Sequence, residues 1–304
     1  MKIVCKQFIT PLVLVCIPAL YAQDSAQDEV AIDGTPEYIQ QGEEEGAMPE
    51  VPEMFRDDAL LDESHSNREL GINVYTAPSI SKIFNQLEKL PSIPEEYVLR
   101  NRSAKISTAS GKVALEMGFL LADGFIAVCS GHMNDVKPIA MELNRYGRML
   151  GVGDKMDIHS AALLEQAEKG NRKEFKRILN STQSDVNAEL AGLGDPDLAH
   201  LIALGGWVRA CEASAAALCE EFSAEQASII FYPDAPAYFR EILLGTDPET
   251  AKKLEIKEMS ELLQKLTELM TLQEGDTPTP EKVEQLRQIA GELAARIVGE
   301  DYAH

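Results

Sequence analysis

The chain has 304 residues, and 28 basic against 50 acidic side chains give it a formal charge of -22 at neutral pH. No basic stripe offsets that charge, which argues against nucleic acid and anionic membrane surfaces as partners. The length allows two domains, but residues 1–66 are too polar and irregular to build a core, so one large folded body is expected.

Residues 1–22 carry Lys2 and Lys6, an apolar run at 8–20, and a small residue, Ala22, before polar Gln23. That order of basic start, apolar middle and small terminus is the pattern of a secretory signal peptide. The run falls short of the ~18 residues that a spanning helix needs, which weakens the alternative of an uncleaved anchor. The mature chain is therefore expected to be soluble and either periplasmic or secreted. Cys5 and Cys16 leave with the leader, and Cys129, Cys211 and Cys219 remain. Cys211 and Cys219 fall on one predicted helix, roughly 12 Å apart, too far to bridge, and free thiols are expected.

Residues 23–66 are expected to form a disordered acidic arm, because Glu, Asp, Gln, Gly and Pro dominate and little apolar area is available to offset ordering. From Asp24 to Glu63 fourteen acids face the single base Arg56. A helical core domain is expected over 67–246. An amphipathic helix is predicted at 78–90, with Ile80, Ile83, Phe84, Leu87 and Leu90 on one face and Pro91 at its end. A second begins near 94. Residues 110–131 then read as a helix that is apolar almost all round, and 196–222 as its packing partner. Glu116 and Asp123 make the first of these a poor membrane span, so both are placed inside a water-soluble fold. Along it Ala114, Gly118 and Ala122 recur every fourth residue, a ridge that lets another helix come close.

Between these two helices the spacing predicts helices capped by Asn134, Asp154 and Asn171, the last aligning Phe175, Ile178, Leu179, Val186 and Leu190. Asp195-Pro196 opens the second apolar helix. Ser223 and Gln226 form a capping box, 228–232 is the one stretch compatible with a strand, and a short helix is predicted over 237–244. Residues 247–304 read as a C-terminal antiparallel hairpin, opened by Asp247-Pro248 and again by Thr279-Pro280, and semi-independent of the rest. The fold class is all-α: an irregular multi-helix bundle around two central apolar helices, with that hairpin appended.

Two short motifs, Glu116-Met117-Gly118 running on to Ala122-Asp123, and Leu204-Gly205-Gly206-Trp207, resemble a pattern in uncharacterised exported all-helical proteins of Gram-negative bacteria. The resemblance implies an exported location and a helical fold, and it carries over no catalytic residue.

Asp123 is the residue most at odds with its surroundings, since an acid on a buried helix must be paired, hydrogen-bonded or neutral. Arg209 on the partner helix is the expected counter-charge, with Glu212 three residues on. Trp207 follows two glycines and either fills the core beside them or lines a pocket. Cys129-x-x-His132 has a spacing seen in metal sites, with His159, Asp154 and Asp157 as further donors, but no second local pair appears, and neither a metal nor a cofactor is assigned. His200 is expected to be a satisfied core histidine, and no nucleophile elbow, phosphate loop or haem motif occurs. No catalytic residue is assigned. The leading expectation is a binding or scaffolding protein of the periplasm or envelope, meeting a protein partner through the groove beside 248–298 or through the acidic arm. The alternative is a small-ligand binder or enzyme with a pocket near Asp123, Trp207 and Arg209.

Overall fold

A computed structural model of the chain describes residues 85–100 and 107–299, together with Pro52. The expected leader, the acidic arm apart from Pro52, and most of the helix expected over 78–90 lie outside these residues. Among the described residues the fold is all-α and contains no strand. In chain order the helices are α1 (Glu95–Val98), α2 (Ser110–Cys129), α3 (Val136–Met149) and α4 (Gly153–Glu168). They continue with α5 (Arg172–Gly192), α6 (Pro196–Glu220), α7 (Ala224–Ile230), α8 (Asp234–Gly245), α9 (Ile256–Met270) and α10 (Pro280–Val298).

The core is built on α2 and α6, which pack directly on each other. Every residue of α2 from Met117 to Val128 is buried, and so is every residue of α6 from Leu198 to Leu218. Helices apolar on all sides have no solvent face, so the remaining helices sheath them. Helix α6, not α2, is the described helix long and apolar enough to cross a membrane, yet its apolar stretch is wholly covered by the rest of the chain.

Two glycines set how closely the pair approaches. A Cβ at Gly118 would lie 1.8 Å from the carbonyl oxygen of Ile202, and one at Gly205 would lie 2.0 Å from that of Leu115. The backbones therefore touch, each helix filling the notch left by the other's missing side chain. This is the small-residue ridge expected from 114, 118 and 122.

Several helix starts follow from local chemistry. The Asn171 side chain accepts from the Glu174 amide at 3.3 Å, and the Thr279 hydroxyl accepts from the Lys282 amide at 3.3 Å. Pro196 and Pro280 occupy first-turn positions, where the missing N–H costs nothing. Other starts differ from the expected ones. Asn134 lies inside a 3-10 turn, Met133–Asp135, so the chain is already wound before α3 begins and no side chain caps it. Helix α4 starts at Gly153, which puts Asp154 inside the first turn, where its charge faces the positive end of the helix dipole. Residues 228–232 are no strand: α7 runs through Ile230, and the Ser228 hydroxyl turns back onto the Ala224 carbonyl at 2.8 Å. Helix α8 begins at Asp234, three residues ahead of the expected start, because Pro236 is tolerated in its first turn. Asp247 does not open α9. Its carboxylate accepts from the amides of Glu249 and Thr250 in a tight turn, Lys253 adopts a φ of 63°, and helix resumes only at Ile256.

Helices α9 and α10 form the expected hairpin, but it is not a separate flap. Helix α10 packs along α6, and Val283, Leu286, Leu293, Ala294 and Ile297 lose all solvent exposure. The described residues 85–299 fall within one compact unit.

Candidate functional site

The α2–α6 crossing brings Asp123 and Arg209 face to face. Arg209 is 0 % exposed and Asp123 3 %, so neither charge has recourse to water. Arg209 Nε donates to Asp123 Oδ1 at 2.7 Å, and its Nη1 donates to Glu212 Oε2 at 2.7 Å. Its Nη2 donates to the main-chain carbonyl of Tyr97. The second oxygen of Asp123 is also taken: Arg100 Nε donates to Oδ2 at 2.7 Å. Both guanidinium groups lie over the Phe119 ring, at 4.7 Å for Arg100 and 5.6 Å for Arg209. Two cations and two carboxylates thus form a dry cluster that is formally neutral.

The cluster also ties two further stretches of chain to the crossing. Tyr97 lies in α1 and Arg100 just beyond it, and this stretch is held down through the Tyr97 carbonyl and the Arg100 guanidinium. The Tyr97 hydroxyl accepts from Arg287 Nη1 of α10 at 3.0 Å, and Arg287 in turn pairs with Glu284. That pairing holds the Glu284 carboxyl down at about 2. One oxygen of Glu212, Oε1, is buried without a hydrogen-bond partner, and burial raises this carboxyl's pKa while Arg209 opposes the rise. Burial alone would lower the pKa of Arg209, but Asp123 and Glu212 together lift it, so the guanidinium stays charged.

Trp207 does not share this site. Two positions apart on a helix is roughly 200° of rotation, so Trp207 and Arg209 face opposite ways. The Trp207 ring packs tilted against Phe239 at 5.4 Å and borders a cavity of about 20 Å³ with Gln86, Cys211, Ser214 and Tyr232. That space suits about one water molecule.

The residues considered as metal donors have other partners. Cys129 faces Glu88, His132 lies 3.3 Å from Glu95 and 3.5 Å from Asp135, and His159 lies 2.8 Å from Asp185. Among the described residues no group of three such side chains is arranged to hold a metal ion. His200 directs Nδ1 at the Pro196 carbonyl at 2.9 Å, and burial lowers its pKa, so it is a neutral, satisfied core histidine. Cys129, Cys211 and Cys219 are free, and burial pushes their thiols up to about 11, 12 and 11. None is thereby primed as a nucleophile.

A separate polar contact links α2 to α3. The Tyr146 hydroxyl donates to Glu116 Oε2 at 2.8 Å, and burial holds the Glu116 carboxyl above its ordinary range despite that bond.

Sequence reasoning found Asp123, Arg209 and Glu212 but missed Tyr97 and Arg100. Arg100 gave a faint signal, a base directly after the apolar run Tyr97-Val98-Leu99. The Tyr97 carbonyl gave none, because a main-chain oxygen has no residue-type signature.

No protein family, curated protein or solved structure matches the chain. The resemblance to exported helical proteins therefore rests on its two short motifs alone. Both sit at the α2–α6 crossing, where packing by itself demands Gly118 and Gly205.

Proposed function

We propose that this chain is an exported, non-catalytic helical protein of the periplasm or cell envelope that binds or scaffolds a protein partner. The observation that carries this reading is the state of the Asp123 cluster. Its acid on α2, Asp123, spends both oxygens on arginines, and those arginines spend donors on Asp123, Glu212 and Tyr97. A catalytic or ligand-reading carboxylate needs a free face toward a substrate, and this arrangement offers none among the described residues. Export is supported by the order of charge, apolar run and small residue over 1–22.

The competing reading, a ligand pocket or active site between the central helices near Asp123, Trp207 and Arg209, draws less support. Trp207 faces away from the other two, and the space beside it holds about one water. The test has two arms. Fractionation of a Gram-negative host expressing the full chain should place a product beginning at Gln23 outside the cytoplasm, and retention of the whole chain inside would refute export. The mature chain, immobilised with and without residues 23–65, should then retain one envelope protein reproducibly and in fixed proportion. Saturable binding of a small molecule that is lost on replacing Asp123 with a stable variant would favour the competing reading.

A further inference from the structure

None of the cluster residues lines a cleft of about 500 Å³ between the segment before α1, the end of α2 and the start of α5. That size lies within the roughly 300–1,000 Å³ typical of small-molecule sites. Its walls mix two kinds of chemistry. Leu87, Leu90, Pro91 and Ile93 contribute apolar surface, and Leu90 and Ile93 are only partly covered by the core behind them. Arg172 and Lys176, one turn apart on α5, contribute cations.

The charges on these walls are not equally available. The Lys176 ammonium is committed to Glu88 and stands 5.2 Å from the Phe125 ring. Glu95, the other carboxylate on the wall, lies 3.3 Å from His132 Nε2. The Arg172 side chain makes no hydrogen bond or ion pair with the described residues, unlike those of Arg100, Arg148, Arg177, Arg209, Arg287 and Arg296, and it is the one arginine that lines this cleft. Its guanidinium stands beside Gly131, close enough that a Cβ there would lie 3.2 Å from Nη2. In a chain of net charge -22, an uncommitted planar fork that shares a ligand-sized space with partly covered apolar side chains is a specific arrangement.

We infer that this cleft binds a small amphiphilic carboxylate, its anionic head held by Arg172 and its hydrocarbon body laid against Leu87, Leu90 and Ile93. A guanidinium fork matches a carboxylate through two parallel N–H···O bonds. A dianion is disfavoured, because Lys176 is already engaged and Glu88 and Glu95 stand nearby. The inference goes beyond the partner-binding reading and does not rest on it.

The test uses the full chain and octanoate as the probe, followed by titration calorimetry, with acetate and octan-1-ol as controls. Octanoate should bind saturably at one site, and each control, which keeps only half of the chemistry, should bind at least ~10-fold more weakly. Arg172→Gln should weaken octanoate about tenfold, the loss expected for one charge-assisted contact, with an unchanged unfolding midpoint because the side chain is exposed. In a Cys219→Ser background octanoate should also slow maleimide labelling of Cys129, which lines the cleft. Absence of saturable octanoate binding would overturn the inference. So would acetate binding as tightly, an Arg172→Gln chain that binds normally, or binding that leaves Cys129 unprotected. Failure of the envelope pull-down would leave all four results untouched, so the two readings fail separately.

Discussion

A carboxylate that gives each oxygen to a different guanidinium cannot be neutralised without taking an anion away from two buried cations. Asp123→Asn should therefore cost about 3–5 kcal/mol in urea unfolding, the range for removing one partner of a buried pair. A loss below 1 kcal/mol would mean that water reaches Arg100 and Arg209. Glu116 supports a prediction in pH. Burial raises its folded pKa above the ordinary 4.5, so the folded chain holds a proton that the unfolded chain has released over the window from 4.5 to the raised value. Stability contributed by this group is thus largest below 4.5 and falls as pH rises through that window. Glu212 adds a slope of the same sign. Glu116→Gln should flatten the measured curve, and identical urea midpoints against pH in both proteins would count against the assignment. At this scale the Asp123–Arg209 pair was legible, because an acid in an apolar run needs a counter-charge and Arg209 stood on the partner helix. Of the two readings of Trp207, the core one fits its packing against Phe239, and helical rotation turns it away from Arg209 at a separation of two.

Between elements, the contact that decides the fold is backbone on backbone. Gly118→Ala places a methyl 1.8 Å from a main-chain oxygen, which no rotamer change relieves, so α2 and α6 must move apart. The expected loss is at least ~3 kcal/mol, the upper end for overpacking. Gly192→Ala is the control: nothing lies within 4 Å of its added carbon, and in the last turn of α5 it should be neutral or stabilising by up to ~1 kcal/mol. Equal effects of the two substitutions, read by thermal unfolding, would remove the argument for a tight crossing. The ridge was legible because small residues every fourth position have few other uses in a buried helix. Caps were legible where the side chain had no competing partner, as at Asn171 and Thr279. The Ser223 box formed only by half: its hydroxyl takes the Gln226 amide, while the Gln226 side chain donates to the Lys89 carbonyl at 2.8 Å. That diversion to a residue far off in the chain is invisible in a four-residue motif.

For the molecule as a whole, the C-terminal hairpin was expected to be semi-independent of the main body. Its apolar edge nevertheless completes the sheath around α6. A chain ending at residue 247 should therefore lose its cooperative melting transition and self-associate, as followed by circular dichroism and size-exclusion chromatography. An unchanged transition would restore the flap. The helical class and the central pair were readable from periodicity, whereas the order in which the outer helices cover them depends on long-range packing that no local window contains.

The separation of Asp123 and Arg209, 86 residues, also bears on how the protein is made. A ribosome working at ~5–20 residues per second exposes α2 on the order of ten seconds before its mate has been synthesised. Through that interval a greasy segment lacks its main cover and Asp123 has Arg100 but not Arg209, and among the described helices α1 and α3 to α5 are the native cover on hand. Nascent chains arrested short of α6 should consequently be avid clients of holding chaperones, and release should come only once the later helix clears the exit tunnel.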